Sequence, residues 1–129
     1  MANAIYDSFK EALMNKEHDL DTDTLKLALI DNTYTYSASH DNISDFTSSI
    51  VGTAATISNA ALSGKNFDCD DVTVSSVSGN DVVAFIIYND SHTDDAPIAY
   101  FDTGISGFPV TPVGGDITIQ INASGVFDL

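Results

Sequence analysis

The side chains able to do chemistry in this sequence come as short acidic runs and isolated histidines. Asp19, Asp21 and Asp23 alternate through one turn, the spacing with which carboxylates converge on Ca²⁺ at the start of an EF-hand loop. The rest of such a loop is missing, because Thr24 stands where the sharp turn needs glycine and Ile30 where a bidentate glutamate belongs. The run therefore reads as a solvated turn from helix to strand, and no metal or cofactor is assigned to it. Asp68, Asp70 and Asp71, like Asp90, Asp94 and Asp95, read as surface charges that discourage edge-to-edge aggregation. His18, His40 and His92 share no metal-ligand spacing. Each lies in a polar stretch, so all three are expected as exposed loop histidines.

Nucleophiles fare no better. Ser39, His40 and Asp41 spell a triad only along the chain, and neighbours in sequence cannot all point at one another. Gly104, Ile105, Ser106 and Gly107 fall one residue short of a nucleophile elbow and lack its strand-turn-helix frame. Cys69 is the only cysteine, which excludes an internal disulfide. Flanked by Asp68 and Asp70, its thiol pKa is expected above the usual value, which suits a buried filler better than a nucleophile. Asn42, Asn89 and Asn122 satisfy the glycosylation pattern, read here as chance matches. With no phosphate-cradling loop and no dinucleotide fingerprint, no catalytic residue is assigned, and the expectation is a protein that is not an enzyme.

Composition narrows the partners. Nineteen acidic residues face four lysines and no arginine, for a formal net charge of −15. Binding a nucleic-acid backbone needs a basic stripe, and here the long-range field repels a polyanion. Nucleic acid and anionic membrane surfaces are thus not expected as partners. No apolar run reaches the length of a membrane span, and the opening residues lack the pattern of a signal peptide, so synthesis in a cytoplasm is expected. Hydrophobic residues form 43% of the 129, enough for one core and one domain over 1–129.

Residues 1–17 read as an amphipathic helix, with Asn3 as N-cap and Ile5, Phe9, Ala12 and Leu13 forming one apolar stripe. Residues 24–129 read as a β-sandwich. Leu25, Leu27 and Leu29 alternate as in a half-buried strand, and 34–49 is a polar loop anchored by Tyr36, Ile43 and Phe46. Strands are expected over 50–57, over 62–67 with Gly64 as a bulge or bend, around Val72 and Val74, and over 97–102. The nearly continuous apolar run 82–88 suggests a central strand covered on both faces. Pro109 and Pro112 keep the segment from Phe108 to Val113 out of a sheet interior, and Ile117, Ile119 and Ile121 alternate cleanly before a closing strand at Val126 and Phe127. The fold class is accordingly mainly β, an antiparallel sandwich or barrel-like domain with one N-terminal amphipathic helix. The aromatic residues are expected to pack this core. Ile5, Phe9 and Leu13 on the helix, with Phe108, Pro109, Val110 and Pro112 on the loop, are candidate contacts for another protein.

Stretches spread along the whole chain carry a likeness. The opening from Met1 to Leu13, the segment from Asp19 to Asp31, Leu62 to Lys65, Ala99 to Gly104 and Phe108 to Thr118 together resemble a family of small tailed-bacteriophage virion proteins, similar to capsid decoration (cement) proteins. This chain departs from that pattern at Asn15–His18, where relatives commonly have a glycine ending the helix. The resemblance implies a virion protein on the capsid exterior, made in the host cytoplasm. Its implied partner is the major capsid protein, and it implies a homo-oligomer such as a trimer. Two other readings stay open: a tail or head–tail component, and a Ca²⁺- or carbohydrate-binding module on a fibre.

Overall fold

Two apolar runs, Leu25–Ile30 (β2) and Ala84–Asn89 (β7), pair antiparallel through six residues each and set the register of the molecule. The computed structural model describes residues 3–103 and 107–129. Around this pair lies a five-stranded antiparallel sheet with Ala4–Ile5 (β1), Pro97–Phe101 (β8) and Ile50–Thr56 (β3), in the order β1-β8-β7-β2-β3. Ala61–Ser63 (β4), Asn66–Asp68 (β5) and Phe127–Asp128 (β10) form a three-stranded sheet. Val72–Val74 (β6) and Ile117–Ile119 (β9) form a two-stranded one. The chain is mainly β and sandwich-like, with a single α-helix, Asp7–Met14 (α1), among the described residues.

The large sheet is covered on both faces. Alternation and register put Ile86, Tyr88 and Tyr100 on one face, roofed by the segment between β2 and β3. From that roof the Tyr34 ring meets Tyr100 at 5.7 Å between centroids, and Phe46 meets Tyr88 at 5.8 Å. Phe85, Ile87 and Asn89 lie on the other face. Both sets join one contiguous core, which explains why β7 is buried along its whole length, as its apolar run predicts. The same cover corrects the half-buried reading of β2: sandwiched between β7 and β3, it hides Ala28 as completely as Leu27 and Leu29. Gly52 sits where the β2–β3 register shifts, at φ +75°, a backbone region that side chains rarely adopt.

Two element boundaries differ from the sequence reading. The helix spans eight residues rather than 1–17, because the open edge of β8 captures the residues before it. Ala4 and Ile5 pair with Tyr100 and Ala99, and the Tyr6 N–H donates to the Ile98 carbonyl at 3.0 Å. Asn3 is not the N-cap. Its Oδ1 accepts from the Asp102 and Thr103 N–H groups and ties the chain to the end of β8. The expected single strand over 62–67 is a hairpin instead: Gly64, at φ +60°, turns the chain between β4 and β5, so it is the bend of the two alternatives and not the bulge.

Candidate functional site

The turn after α1, the acidic run and the end of β7 converge on Asn89, whose side chain is fully buried. Asn89 Oδ1 accepts the Ser91 N–H at 2.9 Å, which leaves Nδ2 to donate to Asp23 Oδ2 at 2.7 Å and to His18 Nδ1 at 2.9 Å. Because Nδ1 of His18 accepts, the neutral ring carries its proton on Nε2, a buried donor without a partner among the described residues. The His18 ring packs against Phe9 and stacks on His92, each at 5.0 Å between centroids. His92 in turn lies 3.2 Å from Glu17 Oε1 through Nε2 and accepts the Asp94 N–H at Nδ1.

The expectation of three exposed histidines is thereby corrected: His18 is buried, and His40 and His92 are half-buried. No local signal marks this pairing, because it depends on β7 delivering Asn89 to the acidic turn. Burial, then the neighbouring His92, lowers the His18 pKa below its usual 6.5, against the opposing pull of Asp23 and Glu17. A histidine with a depressed folded pKa resists protonation only in the folded state. Its contribution is complete above the unfolded pKa and declines as pH falls below it. The melting temperature is expected to drop between about pH 7.5 and about pH 5.5, and His18→Gln is expected to flatten that slope in a thermal-denaturation series.

The acidic groups mostly hold turns. Asp19 Oδ1 accepts the Asp21 N–H, and Asp23 Oδ2 accepts the Asp19 N–H, so this run closes on itself. Asp70 accepts from Asn59 Nδ2 at 2.6 Å, and Asp71 accepts the Ile121 N–H at 2.8 Å, so these two anchor loops rather than merely line the surface. Among the described residues no three metal-capable side chains are grouped to hold an ion. His40 Nδ1 bonds to the Tyr34 hydroxyl at 2.7 Å and Ser39 Oγ to Ser37 Oγ, so these residues do not assemble a triad. Gly104, Ile105 and Ser106 lie outside the described residues. Burial first, then Asp68, Asp70 and Asp71, pushes the Cys69 thiol up to about 11, a poor nucleophile as its flanking residues suggest. Complete burial of Asn89 excludes it as a glycan acceptor.

Among the described residues, concavities of different character mark the surface. A cleft of about 580 Å³ opens between Phe85 and Phe101 on one side and Ile119 to Val126 on the other. Its described lining offers amides and hydroxyls but no acid, base or thiol. A smaller hollow of about 190 Å³ beside His92 is lined by Glu11, Glu17, Asp41 and Asp94. The third, about 460 Å³, is a groove between the end of α1 and the three-stranded sheet. Pairing sets Leu62, Phe67 and Phe127 in a row across β4, β5 and β10, and all three line this groove with Leu13, Leu20 and Leu129. Lys16 and Lys65 stand in the same lining.

The sequence-based contact residues divide. Phe9 is only 1% exposed and belongs to the core, so it is not available to a partner. Ile5 is half-buried in its pairing with β8, and Leu13 is half-buried beside the groove. Phe108 and Val110 pack partly on the core, and Val110 exchanges two backbone hydrogen bonds with Val82. Pro112 is half-buried and Pro109 is exposed. Among the described residues the large apolar groups left in solvent are others: Val113 at 90%, Met14 at 80%, Leu62 at 48% and Leu129 at 46%. Leu62 escapes sequence reading because an eight-residue stretch holding a hairpin shows no alternation long enough to reveal a face. No helix among the described residues is long and apolar enough to cross a membrane. Comparison with protein-family models, with curated proteins and with solved structures gives no match for this chain.

Proposed function

We propose that this chain is a structural protein of a tailed bacteriophage, a decoration protein that binds the outside of the capsid and stabilises the shell. One observation carries the protein-binding part of this reading. Among the described residues four large apolar side chains stand in solvent on an acidic β body, while several of its carboxylates, Asp19, Asp23 and Asp71 among them, are engaged in holding turns and loops. Such a surface suits contact with another protein. The capsid as partner rests on the resemblance of the stretches between Met1 and Thr118. A decoration protein stabilises by mass action, since it binds the assembled lattice and not the free subunit.

A second reading, a tail or head–tail component that assembles by edge pairing, is favoured by β4. This edge strand of the small sheet is exposed at all three of its residues. Sedimentation with purified undecorated shells separates the two. Stoichiometric co-sedimentation is the expected result, with the free protein a monomer or small oligomer. Failure to bind, together with rings or long polymers in the free protein, moves the assignment to the tail.

A further inference from the structure

We infer that the groove between α1 and the three-stranded sheet docks a protein segment in which apolar side chains are flanked by carboxylates. The inference rests on the protein-binding reading above, and it does not depend on the partner being a capsid subunit.

Charge complementarity selects the occupant. The chain has four lysines, of which Lys10 pairs with Asp7 at 3.7 Å and Lys26 with Asp90 at 3.5 Å. The other two, Lys16 and Lys65, have no ion pair among the described residues, and both line this one groove. One carboxylate side chain, Asp19, shares the lining, and it already accepts the Asp21 N–H. At physiological ionic strength charges are screened over about 8 Å, so a segment seated there feels the two ammonium groups more than the charge of the whole body. In the same lining the exposed Leu62 and Leu129 and the half-buried Phe127 receive apolar side chains, while Phe67, paired with both Leu62 and Phe127, is buried and completes the row from within the core. His18 also contributes to the same lining.

Lys16 is held there against its backbone preference. It ends α1 at φ +63°, the left-handed position that glycine takes at many helix ends. A lysine in that place strains the chain while it puts a cation at the groove. A second copy of this chain is the weaker occupant, because two bodies of net charge −15 repel as they close. β4, which gives Leu62 to the groove, is an edge strand and offers hydrogen bonds to an extended segment.

The test titrates the isotope-labelled full chain with a blocked synthetic peptide that alternates leucine and phenylalanine with aspartate and glutamate. A control peptide carries lysine in place of the acids. Saturable shifts of the Leu62 and Leu129 methyl signals with the acidic peptide alone are expected, with affinity at least tenfold lower in Lys65→Glu. Lys16→Gly supplies the control for folding: it is expected to bind several-fold more weakly while melting no lower than the parent. Absence of saturable shifts, equal binding of the lysine peptide or unchanged affinity in both variants overturns the proposal. Tighter binding of laurate at the same signals, or an oligomer of the parent that Lys65→Glu dissociates, assigns the groove to a lipid or a second copy and also overturns it. Co-sedimentation with shells tells the two proposals apart. Shell binding without peptide binding removes the groove and leaves the decoration reading. Peptide binding without shell binding does the reverse.

Discussion

Phe9→Ala is expected to lower the unfolding free energy by about 3–5 kcal/mol, the usual range for deleting a buried phenylalanine ring. Phe9 is the one fully buried residue of α1, and its ring lies against His18 in the core. A helix of eight residues has almost no stability of its own. Its attachment therefore depends on this side chain, with help from the Ser8 N–H bonded to the Ala38 carbonyl and the Ser8 hydroxyl bonded to the His40 carbonyl. Met14→Ala, at the solvent-facing end of the same helix, is expected to change stability by no more than about 0.5 kcal/mol. Denaturant unfolding of both variants, compared by midpoint and slope, makes the measurement. A Phe9→Ala chain as stable as the parent would mean that the helix face is free for a partner, the arrangement the sequence pattern alone allows.

The second large effect belongs to Asn89. Removing its amide with Asn89→Ala leaves His18 Nδ1 and the Ser91 N–H without their partner and takes one of two donors from Asp23 Oδ2, which keeps the Asp19 N–H. Buried polar groups left without partners cost about 1–3 kcal/mol each, reduced where water can enter, so a loss of about 2–4 kcal/mol is expected. Asn89→Asp has the same shape but offers only acceptors. His18 must then bring a proton on Nδ1 to meet the new carboxylate, and the protonated ring is the form that pairs with it. The parent is expected to lose stability on acidification from neutral pH, since its His18 pKa is depressed. Asn89→Asp raises that pKa, so its stability relative to the parent is expected to improve as the pH falls to about 5.5. Parallel pH slopes for the two proteins would remove Asn89 from control of the His18 proton.

These two sites show how differently parts of the chain can be read. The fold class is legible because hydrophobic patterning acts locally: 82–88, Leu25 to Leu29 and 97–102 announce strands by composition. Cys69 was legible for the same reason, since the acids flanking it in sequence also flank it in space. The helix was overextended because Ala4 and Ile5 fit a helix pattern equally well. The open edge of β8, roughly a hundred residues away, decided for a strand. Histidine exposure was misjudged because polar neighbours in sequence say nothing of what another strand places beside a ring.

By itself, then, the sequence determined an acidic, mainly β chain whose carboxylates far outnumber its cations, because charge and alternation are properties of neighbours. Only the tertiary structure decided which lysines are left without acidic partners and that Lys16 and Lys65 share one apolar groove. Their separation along the chain is bridged by the docking of α1 beside a hairpin. Likewise it alone brought His18, Asp23 and Asn89 into one hydrogen-bonded group. The physical reason is common to both. A side chain's partners depend on distances set by packing between strands and helix, and those contacts join residues with no regular spacing for a sequence pattern to carry.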